Sequence, residues 1–141
     1  MMSLDDEKSL SRRAIDRWAS NNSDKTEDIF AANYINHQEP YAAGGTKALS
    51  LEAWGKLVRE YHGAFSNSTV QVLMQIAEGD RVATQWQTTA TQTGSYMGRA
   101  PSGKTATWTG VSISRFENGK IVESWVNWDK YSLFEGLGLL K

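Results

Sequence analysis

The dipeptide Asn118–Gly119, set in "ENGK" between two strand-rich segments, constrains the fold of this chain more than any other stretch. Asn-Gly readily adopts the two left-handed conformations of a tight hairpin turn, which forces the flanking strands to pair antiparallel, residue against residue. "EGDR", from Glu78 to Arg81, repeats the device upstream. The strands around the two turns read Thr69–Ala77, Val82–Thr93, Thr105–Phe116 and Ile121–Trp128, an antiparallel meander.

Ahead of the meander the pattern is helical. Leu10, Ala14 and Trp18 recur at a spacing of four, with Arg12, Arg13, Asp16 and Arg17 on the other side. Asp24 and Glu27 open a short second helix, and Ser50 caps a third whose stripe is Trp54, Leu57, Val58, Tyr61 and Phe65. "GSYMGRAPSGK" between the second and third strands is a Gly/Pro-rich connection or pocket rim. One domain over 1–141 follows, with helices over about 3–65, sheet over about 69–129 and a tail over 130–141. Helices followed by a long meander give an α+β fold. A curved sheet wrapped around those helices would enclose a conical pocket.

The Asn-Gly turn also assigns faces. Counting outward from it, Ser114 meets Glu123, Ser112 meets Trp125, Gly110 meets Asn127 and Trp108 meets Asp129. Alternation then places Trp108, Trp125, Asn127 and Asp129 beside glycine and serine, with Ile113, Val111, Val122, Val126, Arg115 and Trp128 opposite. Small residues facing large ones leave room, and Asp129, in "SWVNWDKY", looks into that room. A carboxylate among indoles has its charged form disfavoured by desolvation, so its pKa should rise towards that of a working base. The plain alternative is that Asp129 caps the turn beginning near Ser132. An epoxide-hydrolase arrangement needs Asp–Arg–Asp in the pocket, and Arg115 falls on the face opposite Asp129 in this register.

Composition removes several classes. Fifteen basic and sixteen acidic residues give a net charge of -1, without the basic footprint that nucleic acid needs. There is no cysteine, hence no disulfide or thiolate site. Two histidines without carboxylates at ligand spacing argue against a metal site. No apolar run reaches membrane-spanning length, and the acidic start "MMSLDDEKSL" is no signal peptide, so a cytoplasmic protein is expected. Six tryptophans in 141 residues suit a lined cavity, the plain alternative being a bulky core.

"FAANYINHQEP" and the run from "AEGDRVATQWQ" to "SWVNWDKYSLFEGLGLL" resemble the SnoaL-like polyketide cyclases and their ester-cyclase relatives, in the nuclear transport factor 2-like superfamily of cone-shaped α+β domains. The motifs that carry the resemblance are the Glu-Gly-Asp-Arg-Val turn, the Met-Gly…Pro-Ser-Gly-Lys loop, the Arg-Phe-Glu-Asn-Gly-Lys-Ile-Val-Glu hairpin and the closing Trp-x-x-x-Asp, here Trp125 and Asp129. It implies a ligand pocket inside the cone, no metal, no organic cofactor and frequent homodimers. It also implies an aspartate acid/base for ring closure, a role that falls on Asp129. His37, in "NYINHQ", matches a histidine often found after the second helix. The cyclases also use a strand histidine, whereas this chain has none after His62. Asn127, Gln85, Gln87 or Thr109 would have to stand in.

The expected activity is a cofactor-independent cyclase or isomerase acting on a small hydrophobic carbonyl compound, the alternative being a non-catalytic binding domain of the same fold. The expected catalytic residues are Asp129 and His37. Trp108, Trp125, Asn127, Trp86, Tyr34, Tyr61 and His62 are the expected substrate-binding set.

Overall fold

The computed structural model describes residues 2–38 and 48–140. Glu39 and Pro40, the end of the "FAANYINHQEP" motif, lie outside the described residues.

Helix α1, Leu4–Ile15, starts in a reciprocal cap. Ser3 Oγ accepts the Asp6 N–H at 3.0 Å and the Asp6 carboxylate accepts the Ser3 N–H at 3.3 Å. Leu10, Ala14 and Ile15 turn inward. Trp18 sits one step later, in a 3₁₀ turn over Asp16–Trp18. Helix α2, Thr26–Ile29, is one turn long. Helix α3, Leu51–Ala64, is capped by Ser50, whose hydroxyl accepts the Ala53 N–H, and buries Trp54, Val58 and Tyr61. The tail folds as α4, Lys130–Gly136, and buries Leu133 and Phe134.

Six strands form one sheet in the order β2-β1-β6-β5-β4-β3. The meander is β3 (Phe65–Glu78), β4 (Arg81–Gln92), β5 (Thr105–Glu117) and β6 (Lys120–Trp128). Its edge is extended by β1 (Phe30–Gln38) and the two-residue β2 (Leu49–Ser50). The stretch ahead of residue 65 therefore is not all helix. β1 runs parallel to β6, so the sheet is mixed rather than wholly antiparallel. Tertiary pairing along β6 fixes β1 where local periodicity gives no strand signal.

The β5–β6 register departs from the simple count out of the turn. Phe116 pairs with Ile121, but Arg115 pairs with Glu123, leaving Val122 without a partner across the ladder. This β-bulge moves every later pair by one: Ser114 faces Ser124, Ser112 faces Val126 and Gly110 faces Trp128. Trp125, Asn127 and Asp129 thereby leave the helix-facing side, and Val126 and Trp128 take it.

The buried apolar residues fall into two groups. One joins Ile15, Tyr61, Phe65, Trp86, Ala90, Tyr96, Trp108, Leu133 and Phe134. The other joins Leu10, Ala14, Ile29, Phe30, Tyr34, Trp54, Val58, Val82, Phe116 and Ile121. Gly110 is a fitted gap in the first group. A Cβ there would lie 2.3 Å from a ring carbon of Trp86 and 2.9 Å from the Asn127 carbonyl oxygen. Gly110→Val should destabilise the fold by about 2–3 kcal/mol, read from the urea midpoint at unchanged slope, because a rigid indole and a backbone oxygen must both move.

Candidate functional site

Between the two apolar groups lies a half-enclosed cavity of about 60 Å³. Its helical wall is Ala14 and Ile15 of α1, Trp18, and Trp54 and Tyr61 of α3. The sheet supplies Trp86, Thr88, Trp108, Ser112, Ser114, Ser124, Val126 and Trp128, with Phe30 and Gln38 from β1. Tyr96 of the β4–β5 loop and Leu133 of α4 complete the wall. The loop is held there by Gln92, fully buried, whose amide donates to the Gly94 and Ala100 carbonyls at 3.2 Å and accepts the Ser102 N–H at 3.0 Å.

The polar atoms of this wall are mostly hydroxyls, with the Gln38 carboxamide and the indole N–H groups beside them. Trp86 Nε1–H donates to Ser112 Oγ at 3.0 Å, and Ser114 Oγ lies 3.2 Å from Ser124 Oγ. Behind Ser124 stands Tyr34, 2% exposed, in hydrogen-bonding contact with it and taking a bond from Asn36 Nδ2 at 2.8 Å. Burial pushes the Tyr34 phenol up to about 12, against its ordinary 10. Among the described residues no three histidine, cysteine, aspartate or glutamate side chains converge as a metal-binding group would require.

Of the expected site residues, Trp86, Trp108 and Tyr61 line the cavity, and Tyr34 backs it. The others lie elsewhere. Asp129 is exposed and caps α4, accepting the Ser132 N–H at 3.0 Å and the Ser132 hydroxyl at 2.6 Å. The Ser132 hydroxyl first, then its backbone N–H, hold the Asp129 carboxyl below its ordinary value, the reverse of the expected shift. Asn127 is also exposed, and both border a shallow depression on the outer face with Gln85, Thr109 and Val111. His37 alternates outward from its buried neighbours Asn36 and Gln38. Its Nε2 lies 2.7 Å from Glu123 Oε2, and its ring stacks on Trp125 at 5.4 Å. Arg81 covers Trp125 too, at 5.3 Å. Glu123 also binds Arg115 at 3.1 Å, and the His37 contact is the leading reason its carboxyl sits below the ordinary value. Arg115 thus shares the outer face with Asp129, in correction of the opposite-face assignment, but is engaged by Glu117 and Glu123. His62 is half-buried outside the cavity wall and donates from Nε2 to the Arg17 carbonyl at 2.9 Å.

Trp18, Trp54 and Trp128 line the cavity although the helical stripe and the turn register send them to plain packing or to the other face. The missed signal is the pair Ile121–Val122, two adjacent aliphatic residues that are both buried, as alternation forbids without a bulge.

The fold and cavity define a class: an α+β domain in which a curved six-stranded sheet closes over helices around an aromatic-lined pocket. The chain matches the SnoaL-like polyketide cyclase family over residues 8–137 and belongs to it. It is similar in structure to AclR of Streptomyces galilaeus, a proposed hydroxylase, at 27% identity and a TM-score of 0.84, covering 99% of this chain and 89% of that one. It also resembles IdmH of Streptomyces antibioticus, a proposed polyketide cyclase, at 22% identity and 0.81, covering 94% and 98%. A proposed SnoaL-like polyketide cyclase of Jannaschia sp. CCS1 gives 16% and 0.83, covering 100% and 98%. Comparison with curated proteins gives no match.

Tyr34 provides a test of how dry the back of the site is. Its neutral form is favoured by folding, so its contribution is complete below the unfolded pKa near 10 and is lost as pH rises towards about 12. Unfolding free energy should fall by about 2–3 kcal/mol more in the wild type than in Tyr34→Phe across that interval. Denaturant titrations at pH 9.5 and 12 read the difference.

Proposed function

We propose that the protein takes a small hydrophobic carbonyl compound into the cavity between α1, α3 and the inner sheet face. The observation that carries this is the wall itself, aromatic on nearly every side with a short row of serine hydroxyls at the sheet. Such a surface fits an apolar body with one or two oxygens. At about 60 Å³ the cavity is smaller than the roughly 150 Å³ that holds a benzene, so a ring-sized guest needs wall side chains to turn. Trp18 and Trp128 are the half-buried aromatic residues of that wall.

Within the cavity, chemistry would rest on orientation and hydroxyl donors. No carboxylate or imidazole among the described residues lines it. A second reading keeps the aspartate. Asp129 borders the outer depression with Asn127, Gln85 and Thr109, the polar partners a strand base would use, and an open site there would leave it ionised at neutral pH. AclR is described as a hydroxylase and other neighbours as cyclases, so reaction type must be read from turnover.

Ala14→Leu separates the two sites, because it fills the inner cavity from a helix that favours leucine. It should cut ethylbenzene binding at least about tenfold by equilibrium dialysis, the loss expected when a pocket of this size is occupied. Asp129→Asn should leave binding near wild type. The reverse pattern would transfer the function to the outer depression.

Homodimerisation belongs to the same proposal. The uncovered outer face exposes Ile35, Met74, Ile76, Val111 and Ile113, with Arg81 and Arg115 offset by Glu117 and Glu123, so a second copy is complementary in both polarity and charge. Val111→Lys should shift sedimentation from dimer to monomer; a wild-type monomer at high protein concentration would refute the idea.

A further inference from the structure

We propose that Ser112 is the donor that seats a ligand's acceptor oxygen in the cavity, held and polarised for that task by the Trp86 indole lying over Gly110. The proposal rests on the inner-cavity reading above and adds to it which hydroxyl recognises the ligand and what chemistry it selects.

The geometry of β4 and β5 carries it. Gly110 pairs with Trp86, and a Cβ on it would lie 2.3 and 2.7 Å from two ring carbons, so the indole crosses from β4 over β5 only because that position is bare. The crossing brings Trp86 Nε1 to 3.0 Å from Ser112 Oγ. An indole N–H donates and never accepts, so Ser112 Oγ is the acceptor in that bond and its own proton points elsewhere. That proton meets no acceptor among the described residues, although Ser112 is only 6% exposed and lines the cavity. The hollow is the direction left to it.

The other hydroxyls of the wall lack that preset direction. Ser114 and Ser124 bond each other at 3.2 Å, and either oxygen can be the donor. Thr88, 3% exposed, makes no side-chain hydrogen bond among the described residues, so its hydroxyl is free to turn and to donate or accept. Ser112 differs because a donor already occupies one of its lone pairs, and an accepted hydrogen bond strengthens the next one given. The class selected is an apolar molecule whose oxygen accepts without needing to donate: a ketone, an ester carbonyl or an enolate, the last most strongly because its charge gathers on oxygen. A hydrocarbon of the same shape would fit but leave the donor unmet.

Acetophenone and ethylbenzene, matched in shape and differing by the carbonyl, test this by equilibrium dialysis together with the infrared stretch of the bound ketone. Ser112→Ala should weaken acetophenone about tenfold and raise its C=O stretch, with ethylbenzene binding unchanged. Ser112→Cys should do the same while keeping side-chain volume and a weak acceptor for the indole, because a thiol donates poorly. Trp86→Phe, which removes the N–H and keeps an aromatic ring, should move the stretch part of the way, a change that packing alone would not produce. Thr88→Val, nearly isosteric and in the same cavity, should leave the stretch where it is. Equal weakening of both probes, an unmoved stretch in a folded Ser112 variant, or a stretch that answers to Thr88→Val instead, would overturn the subsite while leaving the cavity intact. Failure of wild type to bind ethylbenzene would instead remove the cavity reading and this subsite with it.

Discussion

The register between β5 and β6 is the constraint on which the rest of the molecule depends. Side chains alternate with period two, so the bulge at Val122 decides which half of β6 meets the helices. With it, Ser124, Val126 and Trp128 face inward and Glu123, Trp125 and Asn127 face out. Without it, a carboxylate and a carboxamide would sit beneath α1 and α3, with charge removed from water at a cost of several kcal/mol. Pocket shape, sheet polarity and the exposure of Asp129 all descend from this one extra residue.

The inner face is filled unevenly. Bulky residues gather into two apolar groups, and the sheet between them carries Gly110, Ser112, Ser114 and Ser124. A chain optimised only for stability would put larger apolar residues at the three serines. Leaving about 60 Å³ unfilled costs on the order of 1–2 kcal/mol, and burying hydroxyls adds to it unless they are bonded. Each of these serines is bonded, to an indole N–H or to another hydroxyl. The gap is therefore a hollow in which each serine hydroxyl takes part in at least one bond.

Much of this was legible in the chain. Two turn motifs gave four strands, Ser50 and the Trp54–Val58–Tyr61 stripe gave α3, and the contrast of small with large residues on β5 placed Trp108 and the serines on one face. Three things were hidden. β1 is a strand because β6 pairs with it, a non-local cause with no local pattern. The bulge shows only as adjacent Ile121 and Val122 in a strand otherwise compatible with simple counting. Asp129, chosen for its aromatic neighbours in sequence, has Trp125 on the same outer face and Trp128 on the other, so those rings do not enclose it. Its carboxylate satisfies the start of α4 instead.

The bulge is held from both faces at once. Outside, Glu123 ties β6 to β1 through His37 and to β5 through Arg115. Inside, Ser124 ties the same strands through Tyr34 and Ser114. Both sets of bonds converge on the two residues that follow Val122. A slip of one position would exchange them, turning the Glu123 carboxylate into the cavity without a cation and the serine out to water. Each network is modest alone, the outer because it is partly exposed, the inner because neutral hydroxyl bonds contribute little net. Their value lies in excluding the same wrong register by two independent penalties, so the polarity of the cavity is specified by charge on the opposite side of the sheet.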